Sequence, residues 1–188
     1  MKSRPIIMRA EEVRAILDGR KTQLRRPVKW PVLSACDGSK RRVYTEQDVA
    51  EMNERLETRQ RHPSHQFCPH GQPGDWLWVR EAWRKGAVGT AAEYRATVDA
   101  LDWALSRWRP SVHMPRWASR ITLEIVRVRV ERVRSITRGD AMAEGCPFAN
   151  MAKGPDPRVW FADAWQSIYG NWDFNPWVWV VEFRRVTK

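Results

Sequence analysis

Two stretches far apart in the chain carry side chains that can act together on a polar substrate. Gly19-Arg20-Lys21-Thr22, with Arg25 and Arg26 close behind, delivers four cations and a hydroxyl from what reads as the end of a helix. Such a group suits a phosphate or a polarised carbonyl, and the same residues also read as a solvated basic loop. Much later, Thr137-Arg-Gly-Asp-Ala-Met-Ala-Glu-Gly145 sets Asp140 and Glu144 four apart, on one face of a helical turn. A carboxylate there can pair with Lys21 and shuttle a proton; otherwise it is helix-surface acid.

Tryptophan supplies a second kind of chemistry. Trp108-Arg109 and Arg116-Trp117 set indole beside guanidinium, the combination that stacks on bases and meets phosphates, and Arg80 closes the strand-like run from Trp76. Trp103, Trp108 and Trp117 are expected at the surface, whereas most of Trp76, Trp78, Trp177 and Trp179, which sit in strand-like runs, are expected to be structural. The crowded His62-x-x-His65-x-x-Cys68-x-His70 has zinc-ligand types at a spacing that fits no finger pattern, so neither a metal nor another cofactor is expected. There is no Walker loop, dinucleotide glycine fingerprint or Gly-x-Ser-x-Gly elbow, which removes the commonest nucleotide-hydrolase and esterase readings.

The charge balance agrees with an acidic partner. Lys and Arg number 33 against 22 Asp and Glu, for a net +11, and only 7 of the basic residues are lysine. Arginine's planar fork pairs with phosphate and stacks on bases, and codon bias explains the choice of arginine but not the net charge. No apolar run approaches membrane-helix length and the N-terminus resembles no secretory signal, so a soluble, cytoplasmic protein without membrane contact is expected. Three distant cysteines, Cys36, Cys68 and Cys146, are expected as free thiols.

Positioning these groups requires a scaffold. The 188 residues are expected to share one core as a single domain, with a polar surface insertion at about 29–70 that holds a helix within 45–60. Strands are predicted at 4–8, 76–80, 93–97, 119–134 and 177–183, and helices at 10–19, 137–144 and 156–169. Within 119–134, Ile121, Leu123 and Ile125 share one parity while Val126, Val128 and Val130 share the other. A bulge near Ile125-Val126 reconciles them, as where a sheet curls toward a barrel. The expected class is α+β, a curled antiparallel β-barrel with flanking helices.

Taken in order, these pieces resemble bacteriophage and prophage ASCH-domain proteins. The resemblance rests on the helix ending in Gly19-Arg20-Lys21-Thr22, the Gly-x-x-Gly-Asp-x-Leu-Trp-Val-Arg-Glu run at 71–81, Arg109-Pro-Ser-Val-His-Met-Pro-Arg-Trp-Ala-Ser-Arg-Ile121, the Asp140-to-Gly145 turn and Asn175-Pro-Trp-Val-Trp-Val-Val-Glu-Phe183. It spans nearly the whole chain and implies a PUA-like fold whose cleft binds RNA, other single-stranded nucleic acid or a modified nucleoside. The expected binding set is Arg20, Lys21, Arg25, Arg26, Arg80, Trp108, Arg109, Arg116 and Trp117. One ASCH branch resembles amidohydrolases that deacylate the exocyclic nitrogen of cytosine derivatives through Lys, Thr and Glu. The Lys falls on Lys21 and the Glu on Glu144, but the Thr falls on Leu24, which has no hydroxyl; Thr22 is the substitute candidate, and Leu24→Thr is expected to raise turnover. A ribonuclease-like activity and an accessory role in phage assembly or host takeover, with a protein partner, are the further alternatives.

Overall fold

Residues 178–181 of the closing strand are all fully or nearly fully buried, a pattern that a sheet produces only when both its faces are covered. The structure, a computed structural model, describes residues 1–29, 45–57, 68–86, 92–98, 107–148 and 155–186. Its elements in chain order are β1 (Ser3–Ile7), α1 (Ala10–Leu17), β2 (Gln23–Pro27), α2 (Glu46–Glu57), β3 (Trp76–Arg80), β4 (Trp83–Lys85), β5 (Ala92–Tyr94), β6 (Thr122–Arg132), α3 (Arg138–Ala143), α4 (Pro157–Tyr169) and β7 (Trp177–Val186). The class is mixed α+β. The main sheet runs β1-β3-β6-β7-β2, with β1 parallel to β3 and the other pairings antiparallel, and β4 and β5 form a separate hairpin-like pair.

Strand parity divides the core in two. Leu24, Leu77, Val79, Leu123, Trp179 and Val181 pack with α1 and α2 on one face. Val178 and Val180 pack with Ala141, Phe161 and Trp165 of α3 and α4 on the other. The bulge falls where the parity conflict placed it: the β6–β7 register shifts between Ile125 and Arg127, and Val126 turns outward, 53% exposed. Helix ends follow side-chain chemistry. Thr137 caps α3 in a reciprocal box with Asp140, Asp156 caps α4 ahead of Pro157, and Gly170 ends α4 with φ 65°.

Two expectations change. The 93–97 run is strand only to Tyr94, after which Arg95–Thr97 forms a 3-10 turn. The helix in the segment expected as surface insertion belongs partly to the core: Val49 and Met52 pack under β6, and the Asn53 amide bonds both the N–H and the carbonyl of Val130 at 2.8 Å. Its i, i+3, i+7 apolar stripe, Val49, Met52 and Leu56, outweighs the polar composition around it. Residues 30–44 and 58–67 of that segment, with Cys36, His62 and His65, and likewise Trp103, lie outside the described residues.

Cys68 and Cys146 are buried free thiols, and burial pushes Cys68 up to about 12, which makes it inert at neutral pH. Burial, aided by the positive charges of Arg26 and Arg4, lowers His70 to about 4. The unfolded imidazole takes its proton near 6.5, so this contribution to stability is complete above 6.5 and is lost as pH falls toward 4. The loss amounts to at most about 3 kcal/mol. Urea unfolding at pH 7 and at pH 4.5 is expected to show a smaller pH-dependent loss for His70→Gln than for the native chain; equal losses would remove His70 as the cause.

Candidate functional site

Lys21 reaches its place through the way α1 stops. Gly19 adopts φ 74°, and the N–H groups of Arg20 and Lys21 then both donate to the Ala15 carbonyl at 2.9 Å. The turned chain runs beside the end of α3, where Lys21 forms an isolated antiparallel bridge with Glu144 and the Thr22 N–H donates to the Ala143 carbonyl. Gly145 permits this approach: it sits at φ 97°, and a Cβ there would lie 2.8 Å from Ala15 Cβ and 3.1 Å from Lys21 Cβ. Strand parity then puts Lys21 and Arg25 on the face that α3 and α4 cover, and Leu24 on the opposite face, in the main core.

The buried charges form a chain of alternating sign. Lys21 Nζ lies 2.7 Å from Glu144 Oε2, donates to the Glu144 carbonyl at 3.0 Å, and stands 3.7 Å from Glu12. The Arg25 guanidinium, its side chain wholly buried, meets Glu144 Oε1 at 3.1 Å, Asp140 at 3.4 Å and also Glu131. Arg129 continues the chain to Asp140, Glu131 and Glu182, and Arg26 pairs with Glu12 at 3.4 Å. Four cations thus face five carboxylates, so the site is not the uncompensated basic cleft that its arginines imply in sequence. Burial alone would raise the Glu12 carboxyl, but the charges of Arg26 and Lys21 with the Arg9 N–H hold it below the usual range. Burial likewise opposes the Arg26 charge, but Glu12, Tyr169 and Glu144 together outweigh it and hold the guanidinium above its usual range.

Lys21, Arg25 and Glu144 line a hollow of about 290 Å³. Its other wall is α4, which presents Trp160, Phe161, Ala164, Trp165, Ile168 and Tyr169. An apolar aromatic wall facing a few converging polar groups is the usual composition of a small-molecule cleft, here at the lower end of the size range. The Arg25 guanidinium carbon lies 5.7 Å from the Phe161 ring centre, joining the two walls.

The expected residues therefore separate. Lys21, Arg25, Arg26 and Glu144 come together. Arg20 is exposed at the rim, bonded to the Gly145 carbonyl and to Asp18, and the Thr22 side chain is exposed and lines no part of the hollow. Arg80, Trp108, Arg109, Arg116 and Trp117 form a separate surface around β4, with Arg80 over Trp78 and bonded to the Val112 carbonyl. Trp108 is half-buried beneath Arg84, and Trp117 is 61% exposed. Sequence reasoning missed Glu12, Glu131 and Arg129, and the α4 wall. The available signal was the run of Trp160, Phe161, Trp165, Ile168 and Tyr169, more aromatic than one buried stripe requires. Among the described residues no group of three or more His, Cys, Asp or Glu is arranged for a metal, and no helix is long and apolar enough to cross a membrane.

Neither a family model nor a curated protein matches the chain. Among solved structures, the chain is similar to an ASCH domain from Lactobacillus crispatus JV V101, with a TM-score of 0.45 and 12% identity, over 98% of this chain and 79% of that one.

Proposed function

We propose that the hollow between α1, β2, the end of α3 and α4 binds a nucleobase, either a modified nucleoside or a base turned out of RNA or other single-stranded nucleic acid. The observation that carries this reading is the buried Lys21–Glu144 pair, 2.7 Å apart, facing an aromatic wall across about 290 Å³. A base needs a flat apolar surface for its face and converging donors and acceptors for its edge. Lys21 offers a donor for a ring carbonyl such as O2 of cytosine, and Glu144 an acceptor for an exocyclic N–H. The order of ASCH-like motifs in the sequence supports the same ligand class.

Titration of tryptophan fluorescence with cytidine and N4-acetylcytidine tests it. Binding is expected, weakened roughly tenfold or more by Lys21→Met through loss of a charged hydrogen bond. Because the cations here are already matched by carboxylates, nucleoside affinity should change little between low and moderate salt. Absence of binding by any nucleoside would sink the reading.

The same pair favours a second reading, hydrolysis of an N4-acylcytosine. Glu144 would take a proton from water as the water oxygen attacks the acyl carbon, with Lys21 stabilising the resulting oxyanion. The C–N bond then breaks, the nitrogen receiving the proton held by Glu144, to give the free amine and a carboxylic acid, which releases its remaining proton to water as it ionises. Water is the nucleophile because Leu24 is in the core and the Thr22 side chain is exposed. Leu24→Thr is accordingly expected to cost core stability without raising turnover, a correction to the sequence-based expectation. Incubation of concentrated protein with N4-acetylcytidine that yields no cytidine would end this reading and leave the binding one standing.

A further inference from the structure

The exposed aromatic and cationic side chains around Trp117 take no part in the hollow. Trp117 nonetheless is held firmly: its ring meets the buried Trp83 edge-on at 5.6 Å, and the next residue, Ala118, is buried with its carbonyl accepting from the Tyr94 hydroxyl at 2.8 Å. Arg109 lies over the Trp83 ring at 5.4 Å, and Arg116 is steadied by the Ser3 hydroxyl at 2.7 Å. Among the described residues neither guanidinium has a carboxylate within ion-pair distance, in contrast to Arg25 and Arg26. A fixed indole beside uncompensated guanidinium groups gives a base a face to stack on and its phosphates a counter-charge, with little ordering cost on binding.

A second hollow, of about 610 Å³, adjoins the first one. It is walled in part by Met8, Arg14, Ala96 and Ser111, and it shares Arg9 and Glu11 with the first hollow. Ser111 stands two residues beyond Arg109, whose backbone exchanges hydrogen bonds with Trp83. A lone nucleoside leaves this trough and the Trp117 surface empty.

We propose that the ligand is a single-stranded nucleic acid, not a free nucleoside: its modified base enters the first hollow, the neighbouring nucleotides follow the second, Trp117 stacks on one of their bases and Arg109 and Arg116 meet phosphates. This rests on the nucleobase reading of the first hollow. The probes are short RNA and DNA oligonucleotides with N4-acetylcytidine at the centre, the same oligonucleotides with plain cytidine, and the free nucleosides. The modified oligonucleotide is expected to bind at least roughly tenfold more tightly than its nucleoside. Trp117→Ala should remove most of that gain and Trp117→Phe restore part of it. Arg109→Ala with Arg116→Ala should reduce the salt slope by roughly 0.7 for each phosphate that is no longer neutralised. All three variants should bind nucleosides as the native chain does. Equal affinity for nucleoside and oligonucleotide, or a gain that survives Trp117→Ala, overturns the proposal and leaves the base pocket intact. Trp117-dependent binding of the plain oligonucleotide with no nucleoside bound would instead overturn the pocket and uphold the platform.

Discussion

Glu144→Ala is expected to lose about 3–5 kcal/mol of folding stability, a large share of what a domain of this size commonly has. Glu144 holds Lys21 at 2.7 Å and Arg25 at 3.1 Å, and both cations are buried. Removing the carboxylate leaves them in a low-dielectric interior where Glu12, Glu131 and Asp140 compensate them only from other directions. Glu144→Gln should lose less, because the amide keeps an acceptor of the same shape while giving up the charge. Lys21→Met should also lose less, since Glu144 retains Arg25. The double variant Lys21→Met with Glu144→Leu should fall short of the sum of its parts, as coupled neighbours do. Urea midpoints at constant slope read these differences, and a Glu144→Ala loss below about 1 kcal/mol would mean that water already reaches the pair.

The second large effect belongs to Gly145→Ala, with an expected loss of about 2–5 kcal/mol. Part comes from the backbone, because φ 97° disfavours any side chain. The rest comes from space: the new methyl would meet Ala15 Cβ at 2.8 Å and Lys21 Cβ at 3.1 Å, atoms fixed to their backbones that cannot swing aside. Gly19 supplies the control. It too has a positive φ, 74°, but an added Cβ would find nothing within 4 Å, so Gly19→Ala should lose only about 1–2 kcal/mol. The difference between the two thermal midpoints isolates the close approach of α1 to the turn after α3; equal losses would contradict it. Gly145→Ala should also weaken nucleoside binding, since Lys21 cannot keep its position.

The scaffold was legible where one physical rule acted alone. Parity along 121–130 located the bulge, Gly19 marked the end of α1, and the helices expected over 137–144 and 156–169 begin where Thr137 and Asp156 supply caps. That a carboxylate of 137–145 can pair with Lys21 was legible from residue type, but the choice of Glu144 over Asp140 followed from motif resemblance, since nothing local links residues 123 positions apart. What stayed hidden was compensation. A sequence shows that Arg25 and Arg26 are cationic, but not that Glu12, Glu131 and Asp140 converge on them from three elements. The same blindness merged two surfaces into one, because Lys21 and Trp117 both read as ligand-facing although Lys21 lines the first hollow and Trp117 stands outside it, exposed against Trp83. The packing of α2 under β6 was obscured by polar neighbours that its apolar stripe overrides.

The strand order has a consequence for how the hollow comes into being. β7 lies between β6 and β2, so β2 has no sheet to join until residues 177–186 have been made and have paired. During synthesis Lys21 and Arg25 must wait in water for about 150 residues of chain growth before that strand arrives to close the sheet over them. The cations are therefore dehydrated last, when their counter-charges are at hand. Any truncation that removes β7 leaves β2, and with it Arg25, without a sheet partner, while the β1–β3–β6 portion of the sheet keeps a register to form.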